Sequence, residues 1–236
     1  YNLLYLLAFL AWSPWWVWRL ATRRSYRGGV NERIGLPRPR TGGAPALWVH
    51  GVSVGETKTS LPLVRRILAE REELEVMLSA TTPTGNAYAR KVYPDNRVFY
   101  FPLDFWRLPV WSLDRMRPDL VLLMELELWP NFVEAAHRRE CPVVVVNGRI
   151  SDRSFRRYTV VRKFLPQLTA VSLFCMQNRE YADRIIRLGI PPHRVRVTGN
   201  LKYDGLDLGR EPVPDGEFAA WTGGGEGRLV LAAGST

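Results

Sequence analysis

The stretch ALWVHGVSVGET, residues 46–57, joins an apolar run to a glycine-containing turn and then to the start of an amphipathic segment. The run at 47–50 predicts a β-strand, and Gly51 and Gly55 allow the backbone to turn sharply after it. The same order of strand and then helix repeats along the chain, which predicts an α/β fold with a parallel sheet. The predicted strands are 47–50, 75–80, 97–101, 120–124, 143–147, 170–176 and 195–197. The predicted helices are 57–71, 84–92, 106–116, 130–139, 151–164 and 179–188.

The composition is that of a folded, basic protein. Of 236 residues, 46% are hydrophobic, which allows a large core and excludes disorder of the whole chain. The net charge of +10 indicates an anionic partner, and nucleic acid, acidic lipid head groups or a phosphorylated substrate would each qualify. The basic residues are not interleaved with aromatic ones, so nucleic acid is not expected. Cys141 and Cys175 lie in apolar runs and are expected to be buried thiols, and the scattered histidines predict no metal site.

The first 20 residues are predicted to form a hydrophobic membrane anchor. Residues 1–18 carry no charge and, as a helix, would span about 27 Å, which matches a bilayer core. A basic juxtamembrane segment, residues 21–45, follows, and by the positive-inside rule it places the rest of the chain on the cytoplasmic side. A cleaved signal peptide is the alternative, but the tryptophan-rich end offers no small-residue cleavage site. Whether the anchor spans the bilayer or lies in its interface stays open.

The remainder of the chain is predicted to contain one domain and the start of another. Residues 46–204 hold the predicted strands and helices. Residues 205–227 are rich in glycine, proline and acidic side chains, which suits an interdomain linker. Residues 228–236 begin a new apolar run and end in Gly-Ser-Thr. We therefore expect this sequence to be a fragment in which a second domain has only begun.

Glu56 is the first candidate for chemistry. It follows the predicted strand 47–50 and falls in the first turn of the next helix. A carboxylate at the carboxyl end of a strand, within reach of a substrate hydroxyl, can act as a general base. Ser53 and Glu56 also form S-x-x-E, the capping-box pattern, which needs no substrate. Spacing alone favours the capping interpretation.

Glu125 and Glu127 form the second candidate site. They follow the apolar run 120–124 directly, and the alternation of side chains along a strand would send both to the same side of the sheet. Two carboxylates after a buried strand are unusual, because an isolated charge there is costly to desolvate. The alternative is a pair of solvated acids at the start of a helix, which Pro130 would open.

Polar and basic side chains follow three other strands. The turn TTPTG at 81–85 could bind a phosphate or a sugar, or cap the next helix. Arg149 could bind an anion, while Ser151 is expected to cap. Lys202 lies just past the last predicted strand, and taken alone it is also consistent with an ordinary surface lysine.

Five motifs carry a resemblance that no single one of them would support. They are WVHGVSVGET (48–57), TTPTG (81–85), ELELWPN (125–131), NGRIS (147–151) and TGNLKYD (198–204). In order and spacing they closely resemble the bacterial 3-deoxy-D-manno-octulosonic acid (Kdo) transferase family, and the resemblance covers essentially the whole chain. It implies a glycosyltransferase of GT-B fold, in which this chain supplies the Rossmann-like N-terminal acceptor domain and a C-terminal domain binds the donor.

The resemblance also implies a reaction and its residues. Kdo would pass from CMP-Kdo to a lipid A precursor, with inversion and without a metal or other cofactor, in lipopolysaccharide biosynthesis at the cytoplasmic face of the inner membrane. Glu56 would be the general base, and Glu125 and Lys202 would stabilise the transition state or the leaving group. Anionic inner-membrane lipids would bind the basic surface. The substrate-binding candidates are Ser53, Gly55, Thr82, Thr84, Gly85, Glu127, Asn131 and Arg149, and the donor-binding candidates are Gly234, Ser235 and Thr236.

The sequence departs mildly from the family pattern, and two alternatives stay open. Gly51 and Gly148 stand where Ala or another small residue is common, and Leu126 stands where Thr or Arg is often found, which affects the acceptor rather than the reaction. One alternative is another GT-B envelope glycosyltransferase with a different nucleotide-sugar donor. The other is a non-catalytic, membrane-tethered binding module. Because the donor domain is missing, the fragment alone is expected to be inactive.

Overall fold

The computed structural model describes residues 28–161 and 166–204, together with the isolated positions 2, 10, 11, 13, 18 and 22. Within these ranges the strands are β1 (Ala46–His50), β2 (Glu75–Ala80), β3 (Arg97–Tyr100), β4 (Leu120–Met124), β5 (Val143–Gly148), β6 (Leu173–Met176) and β7 (Val195–Val197). They pair in parallel to form a single sheet in the order β3-β2-β1-β4-β5-β6-β7. The predicted α/β fold with a parallel sheet is confirmed.

The helices follow the strands as the sequence predicted, with small differences in their bounds. They are α1 (Val30–Arg33), α2 (Val54–Glu70), α3 (Pro83–Val92), α4 (Leu108–Met116), α5 (Pro130–His137), α6 (Asp152–Val161) and α7 (Arg179–Arg187). Helix α2 begins before the predicted residue 57 because Ser53 caps it. Helix α1 was not predicted, and the predicted end of α6 at 162–164 lies outside the described residues.

One predicted strand was wrong in its first half. The run at 170–176 was expected to be extended throughout, but Pro166–Ala170 forms a 3-10 turn and β6 begins only at Leu173. Proline has no N–H to donate and readily opens such a turn, and Leu168 within it packs into the core. The apolar character of this stretch therefore reflects a buried turn as well as a strand.

Alternating side chains along the central strands fill both faces of the sheet. On one face Trp48 is fully buried and meets Phe132 of α5 edge to face, with ring centroids 5.1 Å apart. On the other face Val49 packs in a second cluster with Val64 of α2. Because helices cover both faces, the strands are near-continuous hydrophobic runs rather than alternating ones. An edge-to-face aromatic pair adds about 0.5–1.5 kcal/mol to the stability beyond the burial itself.

The strand order places a crevice at the carboxyl ends of β1 and β4. Strands β2 and β3 follow β1 on one side of it, whereas β4 and the later strands lie on the other side, so the strand order reverses between β1 and β4. Connections that leave in opposite directions open a ligand crevice beyond the strand ends. The loop after β1 leads to Glu56 and the loop after β4 carries Glu125. The fold therefore directs the two strongest sequence candidates to one place.

Part of the predicted organisation lies outside the described residues. This applies to the anchor at 1–20 apart from isolated positions, to the linker at 205–227, and to the segment 228–236 with the donor-binding candidates Gly234, Ser235 and Thr236. Within the described part of the chain, no helix combines the length and the apolar composition that a bilayer crossing requires. The domain boundaries stay predictions.

Candidate active site

Glu56 lies in the first turn of α2 with both carboxylate oxygens held. Ser53 is the N-cap of the helix, and its Oγ accepts from the Glu56 N–H at 3.5 Å. The Val52 N–H donates to Glu56 Oε2 at 2.5 Å, and Ser53 Oγ donates to Oε1 at 3.0 Å. The Ser53 cap expected from S-x-x-E is therefore present, and the Glu56 carboxylate bonds back to the N–H of the residue before the cap. It fixes the direction of the carboxylate, and each oxygen keeps a lone pair for a further donor.

Three carboxylates share the electrostatic field of this edge. Burial raises the pKa of Glu56, the Val52 N–H and Ser53 lower it, and the charge of Glu125 raises it again. Burial also raises the pKa of Glu127, and the charges of Glu56 and Glu125 add to that rise. A carboxylate whose pKa is raised toward neutrality binds a proton more readily, which is what a general base must do. Like charges gathered at one place are costly, and such clusters mark functional sites more often than random surface.

Glu125 sits in a strained turn rather than on a strand. Its backbone φ is 57°, in the left-handed region, and its N–H donates to the Val146 carbonyl of β5 at 2.8 Å. The expectation that strand alternation aligns Glu125 with Glu127 was wrong in its premise, because β4 ends at Met124. The turn, not the pleat, brings their charges together. A non-glycine residue at positive φ is uncommon and persists where the surrounding structure requires it.

The turn at 81–85 packs directly on the loop that carries Glu56. The N–H groups of Thr81 and Thr82 both donate to the Val52 carbonyl, at 3.3 and 3.1 Å. Thr82 also caps α3, because its Oγ1 accepts from the Gly85 N–H at 3.0 Å. A Cβ at Gly85 would lie 2.8 Å from that Oγ1, so glycine is what allows the tight turn. The capping interpretation of this turn is confirmed.

Helix α5 takes its cap from a distant loop. Trp129 occupies the N-cap position and makes no side-chain hydrogen bond to the helix end. Instead the fully buried carboxylate of Asp104, after β3, accepts from the N–H groups of Asn131 at 3.1 Å and Phe132 at 2.7 Å. The Asn131 side chain donates to the Asp104 carbonyl at 2.6 Å, so this predicted substrate contact holds the loop together. Sequence reasoning missed Asp104, although the absence of a capping residue before Pro130 was an available signal.

His50 lies directly before the loop that carries Glu56, and its imidazole is uncharged. It ends β1, is fully buried, and stacks on Phe101 with ring centroids 3.8 Å apart. Its Nδ1 lies 2.9 Å from Ser79 Oγ. Burial lowers the pKa of His50 to about 3, against a smaller opposing effect of the Ser79 backbone. This histidine is therefore uncharged near neutral pH and stabilises the edge by packing.

The loop after β5 brings a cation to the carboxylates. Arg149 Nε lies 3.5 Å from Glu125 Oε2, and 59% of the Arg149 side chain is exposed. Ser151 Oγ accepts from the Ser154 N–H at 3.2 Å at the start of α6, which confirms its expected capping role. Arg184 of α7 donates to the Ile150 carbonyl at 2.6 Å and so anchors the loop. The exposed guanidinium group of Arg149 can therefore contact an anion while the backbone of its loop is held in place.

The turn after β7 presents Lys202. Gly199 within it has a φ of 86°, which glycine adopts without a Cβ clash. The side chain of Lys202 is exposed, and its ammonium group forms no ion pair within the described ranges. Gly55 and Thr84 are also exposed, at the starts of α2 and α3. These three predicted residues thus offer open surface rather than a closed pocket.

Tyr158 of α6 was not foreseen as a neighbour of this site. Burial raises its pKa, and the charge of Glu127 raises it further. Together with Leu128, it lines a cavity of about 210 Å³ beside the Glu127 turn.

The edge as a whole combines a clustered set of carboxylates with cations on neighbouring turns. Such an edge can take a proton from a hydroxyl and offset negative charge nearby.

Comparison with known proteins identifies relatives of the chain. The family model for 3-deoxy-D-manno-octulosonic-acid transferase (kdotransferase) matches residues 28–205. The 3-deoxy-D-manno-octulosonic acid transferases of Chlamydia pneumoniae and Bordetella pertussis are 32% and 33% identical to it. Those alignments cover 86% and 98% of this chain but 47% and 54% of the relatives, so the chain spans about half the length of the curated relatives it matches.

Solved structures show the same architecture at low identity. A UDP-N-acetylglucosamine 2-epimerase and the complex of S. aureus MnaA with UDP each superpose with a TM-score of 0.50, at 12% and 16% identity. They cover 66% and 71% of this chain and 48% and 49% of their own chains, and they show the fold alone. The Rossmann-like sheet of the predicted GT-B class is confirmed. On the family match over most of its length, the chain belongs to the Kdo transferase family.

Proposed function

We propose that the complete protein transfers Kdo from CMP-Kdo to a lipid A precursor, with Glu56 as the general base. The observation that supports this most is the position of the Glu56 carboxylate. It is held at the carboxyl edge of β1, in the crevice of the sheet, with its pKa raised by burial and by the charge of Glu125. The donor domain of the complete protein supplies the nucleotide contacts.

In the proposed mechanism the acceptor hydroxyl attacks the anomeric carbon of Kdo. Glu56 accepts the proton of that hydroxyl, the new glycosidic bond forms, and the bond to the CMP phosphate breaks as CMP leaves with its negative charge. The capping hydrogen bonds keep the Glu56 carboxylate from rotating away. The fold therefore preorganises this carboxylate before the acceptor binds. Arg149 and Lys202 offset negative charge on the donor carboxylate and the departing phosphate.

The test of Glu56 uses a matched substitution on the same helix. In the complete enzyme, Glu56→Gln should lower turnover by about a hundredfold to ten-thousandfold, the range that a general base supplies. Glu70→Gln makes the same chemical change at the far end of α2, where the side chain is 61% exposed and pairs with Arg66 of the same helix. It should leave turnover near normal. Near-normal turnover by Glu56→Gln, with an unchanged circular dichroism spectrum, would leave Glu56 with a capping role alone.

The donor and the need for a metal are tested together. The complete enzyme should use CMP-Kdo and reject UDP-linked sugars, and EDTA should leave its rate unchanged. Transfer from a UDP-sugar instead would favour the other envelope glycosyltransferase, and no transfer from any donor would favour a binding module.

We also propose that the protein acts at the cytoplasmic face of the inner membrane. The uncharged residues 1–18, the arginine-rich stretch after them and the net charge of +10 support this location. The complete protein should sediment with membranes and resist extraction by high salt. A variant without residues 1–20 should be released by salt, because screened electrostatic contacts alone would hold it. Full release of the intact protein by salt would contradict the anchor.

A further inference from the structure

Asn147, at the end of β5, combines two unfavourable features. Its backbone φ is 57°, a conformation that glycine adopts freely and asparagine only tolerates. It is fully buried, and its Nδ2 has no hydrogen-bond partner among the residues that the structure describes. Buried polar atoms without a partner are rare because they are costly. A glycine would relieve both, so the side chain of Asn147 needs a reason of its own.

That reason is a contact with the turn after β7. Asn147 Oδ1 accepts a hydrogen bond from the Leu201 N–H at 3.1 Å. The Leu201 side chain packs on the second apolar cluster, the one that contains Val49 and Val64. The next residue is Lys202, whose N–H donates to Asn200 Oδ1 at 3.1 Å. The backbone that carries Lys202 is therefore clamped on one side by the Asn147 carboxamide.

The topology shows what this clamp changes. Strand β6 lies between β5 and β7, so the turn after β7 must pass over the carboxyl end of β6 to reach Asn147. This crossing moves Lys202 from the edge of the sheet toward its centre. On the opposite side of β5, the residue before Asn147 accepts the Glu125 N–H at 2.8 Å. Asn147 thus sits between the turn that carries Glu125 and the turn that carries Lys202.

We propose that Asn147 is a positioning residue, which holds Lys202 over the end of β5 at a fixed place relative to Glu125. The inference rests on the proposed role of Lys202 in Kdo transfer, and it adds a residue to that machinery. Asn147 acts through the Leu201 amide and touches no substrate.

The clamp itself is tested without any reaction. Asn147→Gly allows the left-handed backbone without strain and removes the whole side chain, including the carboxamide that accepts from the Leu201 N–H. In the complete enzyme, hydrogen–deuterium exchange of the segment 198–204 should accelerate by about tenfold or more, while exchange of β5 stays unchanged. Asn96→Ala is the matched control, because it removes one side-chain hydrogen bond to a backbone carbonyl, 3.1 Å to Val76, at the opposite edge of the sheet. It should leave exchange of 198–204 at the wild-type rate.

The consequence for catalysis is tested by a double-mutant cycle. Displacement by about an ångström can cost a hundredfold in rate, so Asn147→Gly should lower kcat by about tenfold to a hundredfold with little change in KM for the acceptor. In a Lys202→Ala background the same substitution should lower kcat no further, because Asn147 acts only through Lys202. Asn96→Ala should leave both parameters near their wild-type values.

Three results would overturn the inference. They are unchanged exchange at 198–204 in Asn147→Gly, a loss of kcat that multiplies with that of Lys202→Ala, and full turnover by Lys202→Ala. The last would remove Lys202 from the reaction without touching the Glu56 test of the function itself. If the complete enzyme transferred no Kdo, the proposed function would fail, and the exchange experiment would still judge the clamp.

Discussion

Asp104 should be among the most sensitive positions for stability, although it lies far in sequence from the helix it caps. Its buried carboxylate accepts from two backbone N–H groups at the start of α5, at 3.1 and 2.7 Å. A hydrogen bond to a charged group contributes about 1.5–3 kcal/mol. Asp104→Ala removes both bonds and leaves the helix end without a side-chain cap, so we expect a loss of about 3 kcal/mol in the free energy of unfolding. Asp104→Asn keeps one acceptor oxygen and should lose about half as much.

Urea unfolding followed by circular dichroism measures this loss as a lower midpoint with an unchanged slope. Asp114→Asn is the control, because Asp114 is exposed and its ion pair with Arg139 belongs to the surface class that contributes about 0–1 kcal/mol. A loss in Asp104→Ala no larger than that in Asp114→Asn would refute the capping argument. Because α5 follows the turn that carries Glu125, the same variant should also lower turnover.

Three other predictions follow from single contacts. In the unfolded chain His50 binds a proton below its ordinary pKa of 6.5, whereas in the folded protein burial lowers this pKa to about 3. Between these two values the unfolded state binds more protons, so the free energy of unfolding should fall by about 1.4 kcal/mol for each unit that the pH drops. His50→Phe should reduce that slope. Because the pKa of Glu127 is raised in the folded protein, its contribution to stability is present at low pH and is lost as the pH rises. Glu127→Gln should therefore raise Tm at pH 8 and leave it unchanged at pH 4. An equal shift of Tm at both pH values would contradict the charge argument. Gly85→Ala should cost about 1–3 kcal/mol of stability, because its Cβ would lie 2.8 Å from Thr82 Oγ1, whereas Gly43→Ala meets nothing within 4 Å and should be nearly neutral.

The strands and their polarity could be predicted because each depends on a local run of residues. The segment LVLLM, residues 120–124, is buried on both faces in a parallel sheet, so it appears in the sequence as an uninterrupted apolar run that ends where the polar turn begins. Parallel strands then put all of their carboxyl ends at one edge. For that reason the sequence alone assigns Glu56 and Glu125 to the same edge.

The contacts that shape the site could not be predicted, because their partners lie far apart in sequence. Asp104 caps a helix that begins beyond the next strand, and Asn147 binds a turn that follows β7. The left-handed backbone of Glu125 is imposed by the turn that closes β4, and no propensity of glutamate suggests it. Local patterns placed the candidate residues, whereas tertiary hydrogen bonds determine how they are held.

Capping and catalysis are compatible roles for Glu56. A capping box places a glutamate three residues after the cap, and here Ser53 Oγ accepts from the Glu56 N–H while the Glu56 carboxylate accepts from the Val52 N–H and from Ser53 Oγ. The cap does not account for Glu125 and Glu127: the charge of Glu125 raises the pKa of Glu56 and of Glu127, and the charge of Glu127 raises that of Tyr158. A fold that needed only the cap would be more stable with neutral side chains at 125 and 127. Their presence favours an edge selected for its charge, on which the cap holds the proposed base in place.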